Sequence, residues 1–252
     1  MHNPSTEFNR TDMIAYCRDA AWHFLTQRSH GLLAGQVCAA WKRSDRFARW
    51  VETLIAATEQ DDVYNELLRN PLLDSNGAPL NFKEMLFELR ASEELIAMAL
   101  AKSRFIALLV SMHIDFTHSK EASAQAFLKR IRAKEKKWLK EADSSSEEIG
   151  PAYGLLEFCD AFSLLICQDI IPTEGRTVVI SSGPDGTVHS VRCCDAALVV
   201  EPWPFEDAEL VWSYELRRVE KLGFASDDAL RRAFQVAPVE LRRVRVKKAK
   251  AS

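Results

Sequence analysis

Glycine is scarce in this chain. Nine residues in 252 are too few for the many turns of an all-β protein, so the balance tips toward helix. Long apolar runs are also missing. The longest, such as IALLVSM, fall far short of the roughly 20 residues that span a bilayer. The first ten residues, MHNPSTEFNR, contain no apolar signal core. A formal net charge of −3 gives no global basic field to draw the protein to nucleic acid or to an acidic membrane. Six cysteines stand at 17, 38, 159, 167, 193 and 194 without a Cys-x-x-Cys pair. Several lie among apolar residues, where a reduced thiol packs as a small hydrophobe, which suits a cytoplasmic protein. The adjacent Cys193 and Cys194 admit a redox or soft-metal role, but the reduced state is the plainer expectation. SSGPDG lacks the Lys-Ser/Thr ending of a phosphate-cradling loop. No Gly-x-Ser-x-Gly elbow occurs, which argues against a hydrolase of that kind.

What remains is an ordinary globular composition, 47% apolar and 27% charged, with enough residues for one large core or two modest ones. The pattern predicts an α+β fold: a loose leader over 1–12, then a single domain over 13–252. Within it, a hairpin spans 13–27, a helical core of about six helices spans 28–169, and a mainly β part spans 172–246. That last part contains a short helix and a basic tail, LRRVRVKKAKAS, expected to be an edge strand that frays. The two β parts are expected to pack together against the helices.

Helices are predicted from about Ser29 to Trp41 and, capped by Ser44, through Phe47, Trp50, Val51, Leu54 and Ile55. That second helix runs into Gln60, Asp61 and Asp62. Asn70-Pro71 and the stretch from Asp74 to Pro79 then read as turns. Phe82–Arg90 and Ser92–Met112 read as two helices, the second strongly apolar. Ala122–Glu141 is amphipathic, and its many Lys and Arg side chains read as a solvated face. Residues 143–150 look like a polar linker, with Pro151 opening a helix that reaches Gln168. Thr177–Ser181 and Val188–Cys193 alternate around SGPDG as a hairpin, and Ala197–Glu201 and Glu209–Leu216 read as further strands.

Against this background a few polar residues stand out because they share the apolar faces of predicted helices. His30 shares a face with Leu33 and Ala34. Gln60 and Asp61 continue the stripe of Leu54 and Ala57. His113 ends the stripe of Ile106, Leu109 and Val110, and Asp160 lies between Leu156 and Leu164. Burying a carboxylate costs several kcal/mol unless it is paired or holds a metal. Each residue alone is explained as a hydrogen-bonded core group. Together they offer nitrogen and oxygen donors from four elements, which suits a divalent ion: Mn, Fe, Zn or Mg. Asp62 and His118 are the candidates for a supporting partner or a general base. Cys159, next to Asp160, is a weak nucleophile candidate because its apolar setting should raise its pKa.

The blocks FLTQRSHGLLAGQVCAAW, QDDVY…NPLLDSNGAPLNF, ALLVSMH, LLEFCDAFSLLIC and VVEPWPF resemble, in order, those of the bacterial domain of unknown function 3891, over nearly the whole chain from Met13. The pattern of His, His-Asp and a distant Asp is similar to the HD-domain superfamily of metal-dependent phosphohydrolases. The resemblance implies an HD-like helical core with an N-terminal hairpin and a C-terminal antiparallel sheet. It makes His30, Asp61 and Asp160 metal ligands and His113 the intermediate histidine of two-metal members. It further implies hydrolysis of a phosphorylated small molecule or nucleotide by a water that the metal acidifies. Gln60 stands where the pattern has a histidine, and Tyr64 where the family tends to have Trp. A glutamine amide is a weaker, neutral oxygen donor, so a non-catalytic binding or regulatory module is the alternative expectation. An iron-dependent oxygenase of HD type is a further one. The expected partner is a small molecule, with neither nucleic acid nor membrane.

Overall fold

The computed structural model describes residues 13–63, 67, 71–84 and 86–249. The leader over 1–12, Tyr64, Asn70 and the last three residues of the tail lie outside these. The architecture is α+β. Strands β1 (Ile14–Arg18) and β2 (Ala21–Leu25) form the expected hairpin, followed by α1 (Gln27–Ala39) and α2 (Trp50–Glu59). Then come α3 (Leu89–Lys102), α4 (Arg104–His118), α5 (Gln125–Glu141) and α6 (Ser146–Cys167). The chain continues through β3 (Val178–Ser182), β4 (Val188–Cys194), β5 (Ala197–Glu201), β6 (Glu209–Val219), α7 (Asp227–Val236) and β7 (Val239–Lys248).

All seven strands join in one sheet, ordered β1-β2-β6-β7-β5-β4-β3. The sheet is mixed, not antiparallel throughout as expected, because β5 and β7 run parallel. The basic tail is also not an edge. β7 pairs with β6 over nine residues and with β5 on its other side, and its arginines and lysines fall on both faces, Arg243, Arg245 and Lys247 opposite Arg242 and Lys248. Charge made this segment read as a margin, yet Val244 and Val246 supply the apolar register that lets it lie inside. Helices α1, α2 and α6 pack together, with α1 on β6 and α6 on β3. In the hairpin, alternation sends Ile14 and Leu25 into this main core and Met13, Ala15 and Phe24 into a smaller one. There Phe224, Leu230 and Phe234, the last two from α7, cover the opposite face. By length and composition α6 could cross a membrane, but ten of its side chains are buried against the rest of the fold.

Several helix boundaries differ from expectation, each for a local reason. The predicted helix over 92–112 is two helices. Ser103 is extended (φ −158°, ψ 161°), and its hydroxyl accepts the Ile106 N–H to start α4. The predicted Phe82–Arg90 helix shrinks to a 3₁₀ turn at Phe82–Glu84, with α3 opening only at Leu89. The polar linker belongs to α6, because Ser145 and Glu148 form a capping box ahead of Pro151. Ser44 sits in a separate 3₁₀ turn and does not cap α2, and Val51 is 66% exposed.

The buried stripe of α2 is Thr53, Ala56, Ala57 and then Gln60, at helical spacing. Its residues are small because α1 comes close. A Cβ on Gly31 would lie 2.3 Å from the Thr58 carbonyl oxygen, and one on Gly35 would lie 2.4 Å from the Thr58 hydroxyl. Gln36 of α1 covers the free edge of β6. Its amide nitrogen donates to the Ser213 carbonyl (2.8 Å) and its amide oxygen accepts the Ser213 N–H (3.1 Å), as a neighbouring strand would.

Gly31→Ala should therefore destabilise the protein by about 1–3 kcal/mol through overpacking against backbone. Denaturant unfolding measures this, and an unchanged midpoint would contradict the close α1–α2 approach.

Candidate metal centre

His30 lies in the first turns of α1, whose start is fixed by Thr26 accepting the Ser29 N–H. The side chain is fully buried. Its Nε2 is 3.1 Å from Asp160 Oδ1 and 3.7 Å from Asp61 Oδ2. Asp160 comes from the middle of α6, and Asp61 from the turn that follows α2. Gln60, which ends α2, is fully buried and donates its amide to Asp160 Oδ1 at 2.5 Å. The ligand atoms of His30, Asp61 and Asp160 all lie within 4.8 Å of one another. Among the described residues no other group of His, Cys, Asp and Glu side chains converges in this way.

The hydrogen bonds also fix which nitrogen of His30 faces the carboxylates. Ser163 Oγ donates its single proton to the Asp160 carbonyl (2.9 Å) and lies 2.8 Å from His30 Nδ1. It must therefore accept from Nδ1–H, which turns Nε2 toward the acids. Burial pulls the imidazole toward neutrality, but hydrogen bonds and charge from Asp160 and Asp61 outweigh it and raise the pKa to about 9. Burial likewise pushes the Asp160 carboxyl up. The His30 hydrogen bond and the charges of His113 and His30 more than offset this and hold it below the usual carboxylate range.

A cavity of about 270 Å³ opens beside this cluster. Gln60, Asp61, His113, His118 and Asp160 line it, with Phe82, Leu95, Ile114 and Leu164 as apolar walls. The structure thus gathers the sequence candidates around one space, with one exception. Asp62 faces away: Arg28 binds its carbonyl (2.9 Å) and pairs with its carboxylate (3.2 Å). A residue adjacent to a buried one in a turn need not share its direction. Gln60 Oε1 and His113 Nδ1, buried in the cavity wall, have no hydrogen-bond partner among the described residues.

Ser163 and Glu121 escaped the sequence reading. Ser163 follows Asp160 by three residues on the same helical face, and Glu121 follows His118 by three, so spacing was the available signal. Burial drives the Cys159 thiol well up, which removes it as a nucleophile. All six cysteines are free.

The fold and this site define an α+β protein with a His/Asp/Asp cluster, its histidine buried and its carboxylates part-buried, beside a cavity. A model of the family described as a protein of unknown function (DUF3891) matches residues 13–221, and the chain belongs to that family. None of the curated proteins and none of the solved structures matches it.

Without metal, the raised His30 pKa contributes stability that is complete below the unfolded value of about 6.5 and is lost as pH rises through about 9. Unfolding free energies measured in chelator from pH 6 to 10 should fall in wild type more than in His30→Gln. The difference, on the order of 3 kcal/mol, separates His30 from the buried thiols. A difference that grows in the opposite direction would show that His30 is neutral in the fold.

Proposed function

We propose that this protein is a metal-dependent hydrolase of HD-like type acting on a small phosphorylated molecule or nucleotide. The observation carrying the proposal is the convergence of His30, Asp61 and Asp160 within 4.8 Å beside a cavity. These three side chains would hold a divalent ion. The unpartnered Gln60 Oε1 and His113 Nδ1 are further donors in the same wall. Their presence supports the fit, because a buried polar atom without a partner costs about 1–3 kcal/mol. With carboxylate and amide oxygens outnumbering imidazoles around His30, the set suits Mn or Mg at least as well as Zn or Fe. Once bound, such an ion polarises a phosphoryl oxygen and makes a water more acidic.

The chain's own residues do the rest. Ser163 keeps the Nδ1 proton of His30 in place, leaving Nε2 as the donor atom. Leu95, Ile114 and Leu164 give the cavity beside the cluster an apolar wall, which strengthens the charge interactions next to it. Gln60 supports Asp160 with a neutral amide where a histidine would add competing positive charge when protonated.

A second reading has its own observation. Protonated His30 already donates to Asp160 (3.1 Å) and sets its positive charge 3.7 Å from Asp61, so the two carboxylates are compensated without an ion. In that case the protein is a non-catalytic binding module, with the cavity as its ligand site.

Calorimetric titration with Mn²⁺ separates the two. Wild type should bind, releasing about one proton per ion near pH 7.5 as the His30 proton is displaced. His30→Ala and Asp160→Ala should each abolish binding. Retention in both would refute the ligand assignment. If the chelator-free protein neither contains nor binds Mn, Fe, Zn or Mg, the binding-module reading stands instead.

A further inference from the structure

The end of α4 carries a second polar arrangement facing the same cavity. His118 Nδ1 lies 2.6 Å from Glu121 Oε1, and the other Glu121 oxygen accepts the Phe87 N–H at 2.7 Å. The carboxylate is therefore fixed at both oxygens. Phe87 also packs its ring edge-on against His118, with centroids 5.5 Å apart. Burial pushes Glu121 up, but the bonds from His118 and Phe87 hold it below its usual range. An ionised Glu121 keeps a proton on His118 Nδ1 and leaves Nε2 as the working nitrogen. Among the described residues Nε2 has no hydrogen-bond partner, and His118 lines the cavity. His113, whose charge acts on Asp160, lies five residues earlier on α4. At 1.5 Å of rise per residue, His118 sits about 7.5 Å further along the helix. His118, His113, Asp61 and Asp160 line the same cavity of about 270 Å³, so a small phosphate ester held there meets both the cluster and the imidazole.

We propose that His118 is the general acid of this site and Glu121 its positioning residue, so that the substrate is a small phosphate monoester with an unactivated alcohol as leaving group. The proposal rests on the hydrolase reading above. In the step, the oxygen of a water bonds to phosphorus as the bond from phosphorus to the ester oxygen breaks. The electron pair of that bond stays on the departing oxygen, which takes the Nε2 proton of the His118 imidazolium and leaves as the alcohol. The attacking water gives up one proton to solvent, and His118 regains one from solvent. The sum is monoester plus water to alcohol plus inorganic phosphate. An alkoxide is a leaving group poor enough to need a proton. Protonation of this kind contributes about 10²- to 10⁴-fold. The charged groups facing His118 across the cavity are Asp61, Asp160 and Lys83, with Glu121 on its own side.

The test compares phenyl phosphate, a poor leaving group, with 4-nitrophenyl phosphate, a good one, using the Mn²⁺-loaded full chain. His118→Asn should lower kcat on phenyl phosphate by about a hundredfold and on 4-nitrophenyl phosphate by at least about tenfold less. Its Mn²⁺ affinity should match wild type. Glu121→Gln should shift both esters in the same sense but less. It should also remove the slowly exchanging His118 Nδ1–H signal from the nitrogen-edited NMR spectrum, a readout that needs no metal. Equal losses on the two esters, or a His118 protonated only on Nε2 in wild type, would overturn the general-acid assignment and leave the hydrolase reading intact. Wild type that binds Mn²⁺ yet cleaves neither ester would overturn both.

Discussion

An imidazole with no exposed surface and a carboxylate nearly as hidden would each be costly to bury alone. Placed 3.1 Å apart, they become each other's solvation, and much of the surrounding structure serves that separation. The pair joins α1 to α6, the two helices at the centre of the main core. Ser163 ties the far side of the imidazole back to the backbone of Asp160, so ring and carboxylate are held by one helix turn. The approach of α2 is equally constrained: glycines at 31 and 35 let Thr58 come into contact, which brings Gln60 and Asp61 to the same point. Removing Asp160 would leave His30 with only the more distant Asp61. Removing His30 would leave a buried carboxylate with a single amide donor.

The sheet determines what the helices can do. Both of its faces are used near the hairpin, where successive residues of β1 and β2 enter different cores. Where β2 no longer pairs with β6, the edge of β6 at Ser213 is closed by a side-chain amide. This anchors α1 along its length, and the helix that carries His30 is thereby registered on the sheet at its middle as well as on α6 near its start.

How much of this could be read from the chain depends on which forces leave a periodic trace. The α+β class, helices α1, α2, α5 and α6, and the SGPDG hairpin follow from apolar spacing and turn residues. The inward direction of His30, Gln60, His113 and Asp160 followed from the same periodicity, because a polar residue on an apolar stripe has nowhere else to point. Asp61 and Asp62 both lie past the end of α2, where periodicity stops specifying direction, and only Asp61 turns toward His30 while Asp62 pairs with Arg28. The break at Ser103 was invisible because apolar spacing runs straight through it, and only the hydroxyl cap marks the new start. β7 was misplaced because its charges suggested solvent, while its central position depends on pairing with distant β5 and β6. Glu121 matters through its bond to His118 and the Phe87 backbone, a relation that no single-residue property announces.

The position of β7 has a consequence for the order in which the molecule can form. Strands β1, β2 and β6 make one half of the sheet, and β5, β4 and β3 make the other; in the described structure only β7 joins them. As the chain is synthesised, β7 emerges after every element that supplies the His/Asp/Asp cluster. Until it does, β6 and β5 each present an unpaired edge, and the two halves are held together through the helices alone. Folding to the final sheet is thus a late insertion between two waiting strands, a non-local step of the slow kind. The nascent protein would pass through a state with its helices assembled and its sheet open, the stage at which unpaired strands are most exposed to aggregation.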